Sequence, residues 1–462
     1  MWAMRRQCVF SPTLMFLGES NVKPYFYDLA TYAKGLLAGE EIFTANLSGE
    51  TSDFCRLSHG KVRQAGHVTQ NYLSLRLISG QKNAKGTITL SGQKDQDQSR
   101  VSRLLLDLRS QLRELPDDPY LLYATEVRST EKVQPNLLGD SRDVIDKVTA
   151  SVRGLDMVGI YAAGTIYRGF ANSLGQRNWY ETSSFNLDWS FYLRADKAVK
   201  AGYAGFKWDD QEFARKVDAA RRELSVLERE PITIKPGRYN VYLSPDALTE
   251  VTDLLAWSGA FGLKAHKTKQ TPFLKMIEGD TRLKSIVSFT ENTADGISPD
   301  FNESGFLRPS AVQLVEDGAY KHCLVSPRSA REYGAETNGA GDGEAPMSLD
   351  LSAGSLPMAK AAETLGEGIY INNLWYLNFS DRPACRVTGM TRFASFWVEK
   401  GQITRPLNVM RFDESALKVF GDQLVDFTAE REMILSASTY GQRSTSSVRL
   451  PGALVRDFQF TL

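Results

Sequence analysis

The chain is poor in the side chains that most often hold metals or form cross-links: 462 residues carry only 4 histidines and 4 cysteines. Cys8, Cys55, Cys323 and Cys385 lie far apart, and none stands in a CxxC pair. That spacing argues against a disulfide framework and reads as dispersed reduced thiols in a cytoplasmic protein. An excess of one charge is also missing. Lysine plus arginine number 55 and aspartate plus glutamate 55, with no dense basic run, so nothing directs the chain to nucleic acid or to an anionic membrane. No apolar run approaches the length of a membrane helix. A GxGxxG strand-to-helix turn, a GxxxxGK[ST] loop and a GxSxG elbow are absent, which removes the phosphate-cradling and serine-nucleophile classes. Near the start, Arg5-Arg6 precede a mildly apolar stretch at 9–17. Pro12 interrupts it and no small-x-small site follows, so residues 1–21 read as a flexible extension or a start-codon artefact rather than a signal peptide.

What is present is ordinary globular material, 42% hydrophobic and 24% charged, in a length that suits two or three domains. Phe26, Leu29, Ala33, Leu36 and Leu37 fall on one face of a helix expected over 22–39. Ser58-His59-Gly60-Lys61 reads as a hairpin turn, after which Leu73, Leu75 and Leu77 alternate with Tyr72, Ser74 and Arg76 as one apolar strand face. Ser99 is the expected cap of a helix whose stripe, Val101, Leu104, Leu105, Leu108, Leu112 and Leu115, ends before Pro116. A second section opens near Asp140 with the helical Val144, Ile145, Val148 and Val152, then strands over 157–168 and 178–193. Phe213, Val217, Ala220, Leu224 and Leu227 define an amphipathic helix at 209–229. Asp209-Asp210 at its start suit the helix dipole rather than paired acid–base work. Pro231 and Lys235-Pro236-Gly237 then punctuate the chain.

The expected organisation is α+β. An N-terminal α/β-layer region with antiparallel sheets and amphipathic helices occupies 22–135 and 136–230, and a β-rich C-terminal domain occupies 231–462. Within the latter, the glycine-rich stretch 332–357 reads as a mobile surface loop, or as one that orders on binding a peptide or partner.

The most informative residues follow Pro236. Gly237-Arg238-Tyr239-Asn240-Val241-Tyr242-Leu243 reads as a strand, and Ser244-Pro245-Asp246 opens a helix with an N-cap, an N1 proline and a first-turn acid. Leu248, Val251, Leu254 and Leu255 give that helix its apolar stripe. Further on come Phe301-Asn302-Glu303-Ser304-Gly305, Val315-Glu316-Asp317-Gly318, Ser329-Ala330-Arg331, Thr337-Asn338-Gly339, Thr388-Gly389 and Phe396-Trp397-Val398-Glu399-Lys400-Gly401-Gln402-Ile403. In order and spacing this series resembles the TldD/TldE (PmbA) family. The resemblance extends from about residue 22 to the C-terminus and lies nearer the TldE/PmbA side. Lys400 replaces the family's asparagine in its "ENG" turn, and lysine tolerates a left-handed conformation less well.

In that family's metallopeptidase subunit the helix carries a His-Glu-x-x-x-His zinc motif. The aligned residues are Ala256, Trp257 and Phe261, none of which can donate a lone pair to zinc or act as a general base. The family's catalytic subunit also uses a cysteine ligand. Cys385 precedes Thr388-Gly389 but has no histidine pair to join, and reads as buried. His59 and His67 flank a hairpin strand, His266 sits among Lys264, Lys267 and Lys269, and His322 adjoins Cys323 with the opposite strand face. Each reads as structural or exposed.

The resemblance implies no catalytic, cofactor or metal residue in this chain, with zinc in a TldD-like partner. The pair would form a chamber that cleaves small or unfolded peptides. Trp257, Phe261, Thr388, Gly389, Arg392 and Phe393 are the residues expected to face peptide or partner, although Trp257 also reads as a core or interface residue on the helix. The alternative is a free-standing peptide-binding or scaffold homodimer without protease activity.

Overall fold

The computed structural model describes residues 21–194 and 197–461. Apart from Asn21, the extension expected at 1–21 lies outside them. The fold is α+β, as the sequence patterns indicated, and rests on two sheets.

The first sheet is built from strands β1 (Ile42–Ser58), β2 (Lys61–Ser79), β3 (Lys82–Thr89), β4 (Thr130–Val133), β5 (Asp156–Asn172), β6 (Arg177–Arg194) and β7 (Lys197–Gly205). Their order is β3-β2-β1-β5-β6-β4, with β7 also on β6. The sections expected at 22–135 and 136–230 therefore share one sheet. β1 pairs with β5 along nearly its whole length, from Thr44↔Asn172 to Leu57↔Gly159. Four helices cover this sheet: α1 (Val22–Gly35), α2 (Lys94–Glu114), α3 (Ser141–Ser151) and α4 (Asp210–Leu227). Side chains alternate along a strand, so the position of each pair of helices can be read from residue parity. Phe43, Ala45 and Leu47 of β1 pack under α1 and α2, while Cys55 and Leu57 pack under α3 and α4. All are odd-numbered, so both helix pairs lie on the same face, at opposite ends of unusually long strands.

The turn expected at 58–61 is present, with His59 and Gly60 both at positive φ. The cap expected at Ser99 is not. The N-cap is Gln93, six residues earlier, α2 begins at Lys94, and the Ser99 hydroxyl donates to the carbonyl of Asp95 inside the helix. Buried Asp97 organises the approach instead, accepting from the amides of Ser91 and Gly92 and from the Tyr25 hydroxyl.

The second sheet contains β8 (Gly237–Leu243), β9 (Phe289–Glu291), β10 (Val312–Glu316), β11 (Ala319–Tyr320), β12 (Ser348–Leu351), β13 (Gly368–Asp381), β14 (Arg386–Glu399), β15 (Gln402–Pro406), β16 (Arg411–Ser415), β17 (Leu424–Leu435) and β18 (Ser447–Phe460). β8 pairs with both β13 and β18, which closes β8, β13, β14, β16 and β18 into a ring of pairings. Helix α5 (Pro245–Trp257) packs its Leu248, Val251, Leu254 and Leu255 into the core of this sheet. Lys400 does adopt φ +52, beside Gly401 at +75, in the turn between β14 and β15.

The stretch 332–357 is not a loose loop. Glu344 is buried and accepts from the amides of Ser326 and Lys264, Asn338 holds the backbone of Cys323 and Val325, and 348–351 form β12. Small residues there permit close packing rather than mobility. A long-range lock joins the two sheets: Arg443, between β17 and β18, is 6% exposed and donates to the carbonyls of Gly164 and Ser184 in the first sheet.

Candidate functional site

Helix α5 presents two different ends. Its start is fixed by the Ser244 hydroxyl, which accepts from the Ala247 amide at 3.1 Å and donates to the Asn372 carbonyl at 2.6 Å. The helix stops at Trp257, because Gly259 takes φ +82, where a Cβ would come within 2.7 Å of the Ala265 side chain. Phe261 therefore lies past the end of the helix. It is fully buried, with ring centroids 5.6 Å from both Phe273 and Phe289. This corrects the expectation that Phe261 faces a peptide or partner: its ring is enclosed in the core, edge-on to Phe273 and tilted against Phe289. Trp257 is 64% exposed, which excludes the core position and leaves the groove and interface readings.

The residues at this end do not fit a hydrolytic zinc ion. Ala256, Trp257 and Phe261 carry no donor, and the Cys385 thiol is enclosed in the apolar core, where burial pushes it up to about 12. Among the described residues no group of three or more His, Cys, Asp or Glu side chains is placed to hold a metal.

Arg382, between β13 and β14, ties this helix end to the sheet by donating to the carbonyls of Ser258 and Gln270. Along those two strands lies an aromatic surface. The Arg392 guanidinium sits 3.7 Å from the Trp375 ring centroid and 4.9 Å from that of Phe393. Trp375 and Tyr376 are 45% and 74% exposed. Both Tyr376 and Phe393 adopt φ +58, a conformation that costs an ordinary residue about 1–2 kcal/mol. Strand register slips between Trp375 and Asn378. Thr388 and Gly389 stand further along β14: the Thr388 hydroxyl donates to the Phe412 carbonyl, and Gly389 lets the Phe412 and Leu377 side chains approach. Arg392 and Phe393 are thus brought together, whereas Thr388 and Gly389 serve strand packing. Trp375 and Tyr376 escaped the sequence reading, although two adjacent aromatics break the inside-outside alternation of a strand.

The other end of α5 opens on a cleft of about 1120 Å³ between α4, β7, β13, β17 and residues 358–363. Glu223 of α4 accepts a 2.5 Å hydrogen bond from the Asn372 amide, and Asp246 lies in the first turn of α5. Burial, and then nearby acidic groups, push Glu223 to about 7 and Asp246 to about 7. Tyr370 and Tyr242 meet in the wall with ring centroids 4.9 Å apart and planes tilted by 38°, and the Tyr242 hydroxyl is buried without a hydrogen-bond partner. The sequence marks Asp246 only as a first-turn acid of α5 and does not single out Glu223. The one available signal was Asn372-Asn373 interrupting the apolar run 369–377.

Folding also joins His266 to Cys323, with Nδ1 3.6 Å from Sγ. Burial raises the thiol and lowers the imidazole, so both are neutral and the thiol is not activated. His59 and His67 each meet an aspartate, Asp156 and Asp53, at 2.8 Å.

Set against known proteins, residues 236–462 match the PmbA/TldA metallopeptidase C-terminal domain. No curated protein matches the chain. Among solved structures it is similar to TldE from Thermococcus kodakarensis, with TM-score 0.78 and 13% identity over 95% of this chain and 100% of that one. It is also similar to a putative modulator of a DNA gyrase from Thermotoga maritima, with TM-score 0.72 and 14% identity over 95% and 99% of the two chains. A putative modulator of DNA gyrase from Bacteroides thetaiotaomicron gives TM-score 0.71 and 14% identity over 96% and 100%. At these identities the shared property is the fold.

Proposed function

We propose that this chain, which belongs to the TldD/TldE (PmbA) metallopeptidase family, acts as a non-catalytic, TldE-like subunit of a peptidase whose zinc is held by a TldD-like partner. One observation carries the reading: where α5 ends, the side chains are a half-buried alanine, a projecting tryptophan and a core phenylalanine. A surface that has lost its donors but exposes Trp257 is suited to recognition rather than bond cleavage.

What this chain contributes is the holding of substrate. β13 has a strand on its second side only over 369–371, where it pairs with β8. Beyond that its edge carries no strand among the described residues, and Trp375 and Tyr376 project beside it. An extended peptide can add to such an edge through backbone hydrogen bonds, with aromatic side chains gripping alternate residues.

The test is co-expression with a paralogue that carries His-Glu-x-x-x-His, followed by size-exclusion chromatography and a peptide-cleavage assay. The expected result is a 1:1 complex whose activity is lost to chelator, with none from this chain alone. A chain that hydrolyses peptides by itself in a chelator-sensitive way overturns the subunit reading. A stable homodimer that ignores the paralogue replaces it with the scaffold reading.

A further inference from the structure

The cleft at the start of α5 goes beyond the subunit reading, because it lies at the end of the helix opposite Trp257 and needs no partner chain. Most cations in its wall are already neutralised. Lys216 pairs with Glu432 at 2.8 Å, Arg215 with Glu212 at 2.7 Å and Lys200 with Asp188 at 3.4 Å. The acids are not balanced in the same way. Asp246 has no hydrogen-bond or ion-pair partner among the described residues, and Glu223 uses only one carboxylate oxygen, toward Asn372. Beside them the Tyr370 and Tyr242 rings form an aromatic wall, and the Tyr242 hydroxyl, on a residue only 1% exposed, lacks a partner.

Unsatisfied carboxylates next to aromatic faces call for a cation that donates several hydrogen bonds and tolerates a π surface. A hard divalent ion held by one or two carboxylates completes its shell with water and makes no use of an aromatic face, so the tyrosine wall favours an organic cation. A volume of about 1120 Å³ exceeds what a bare ion fills and admits an organic molecule. We infer that this cleft binds an organic ammonium group, seated between Asp246 and the free oxygen of Glu223 against the Tyr370 ring. The chemistry is common to two sources, a free aliphatic amine and the amino terminus of a short peptide.

Calorimetric titration of the isolated full chain tests the assignment, with 1,5-diaminopentane, tetra-alanine and N-acetyl-tetra-alanine as probes. Tetra-alanine with a free amino terminus is expected to bind, and acetylation to weaken it about tenfold or more. Asp246→Asn and Glu223→Gln are each expected to cause a similar loss. Asp253→Asn, on the exposed face of the same helix, leaves affinity unchanged. Binding of tetra-alanine alone assigns a peptide terminus, and binding of the diamine as well assigns a general amine site. The inference is overturned by equal affinity for the acetylated peptide. It is equally overturned if neither amine binds at about 10 mM, or if both carboxamide variants keep full affinity with unchanged melting temperature. Because no paralogue takes part, these results are separable from failure of the subunit reading.

Discussion

The two ends of α5 lie about 20 Å apart at 1.5 Å per residue, and they differ more than their sequences suggest. The first turn, with Ser244 and Asp246, faces a cleft shared with α4, where a carboxyl group without a partner is held near neutrality by burial. The last turn leaves Trp257 in solvent while the chain bends at Gly259 and drives Phe261 into the core. Neither end holds a metal-binding donor set, but for different reasons. At the C-terminal end the side chains have no lone pairs to offer. At the N-terminal end the acids exist, and the surroundings suit an ammonium ion better. What a residue does on this helix is thus set by which elements close over it.

The contrast breaks most visibly in stability. Phe261→Ala is expected to cost about 3–5 kcal/mol in denaturant unfolding, since it leaves a ring-sized cavity against Phe273 and Phe289. Trp257→Ala should stay within about 0.5 kcal/mol in the same experiment. If the two losses are equal, the assignment of one aromatic to core and the other to surface is wrong.

Next in size is the effect of Trp257 on pairing. Its removal should weaken the proposed complex with a zinc-bearing paralogue by about 2 kcal/mol, measured as a more than tenfold rise in Kd. An unchanged Kd places the interface elsewhere.

The cleft end predicts a dependence on pH. Glu223 and Asp246 hold their protons to about 7 in the folded chain, whereas unfolded carboxyls release them near roughly 4. The folded state therefore binds more protons between these values, and stability falls as pH rises. The favourable contribution is complete below roughly 4 and lost once pH passes about 7. With both groups partly open to the cleft, about 1–2 kcal/mol is expected. The double variant Glu223→Gln, Asp246→Asn should flatten the stability profile between pH 5 and 8, read as melting temperature across that range. A profile of unchanged slope removes these two groups as its cause.

The smallest effect belongs to the aromatic surface. Arg392→Ala removes the cation stacked 3.7 Å over Trp375 and should cost about 0.5–1 kcal/mol, with a change in tryptophan emission. Unaltered emission would mean that the stack does not persist in solution.

How much of this was legible beforehand depends on the range of the interactions involved. Ser244-Pro245-Asp246, the stripe Leu248, Val251, Leu254 and Leu255, and the alternation of Leu73, Leu75 and Leu77 are local signals, and each forms the element it predicted. Ser99 shows the limit even there. A nearby acid, Asp97, gathers the amides of the preceding loop, and the N-cap falls at Gln93, six residues before Ser99. The division at 135/136 failed to anticipate a shared sheet because β1 and β5 meet across more than 100 residues of chain. The glycine-rich stretch misled for a related reason: its anchor, Glu344, finds its partners at Lys264 and Ser326.

By itself the sequence determined the α+β class, the cap and stripe of α5, and the lack of donor atoms at Ala256, Trp257 and Phe261, because backbone propensity and side-chain chemistry travel with the residue. Only the tertiary structure decided that Phe261 is interior and Trp257 exterior, that Trp375, Arg392 and Phe393 share a surface, and that Glu223, Asn372 and Asp246 meet in one cleft. Burial, proximity and the resulting proton affinity arise between elements distant in the chain, and no local pattern encodes them.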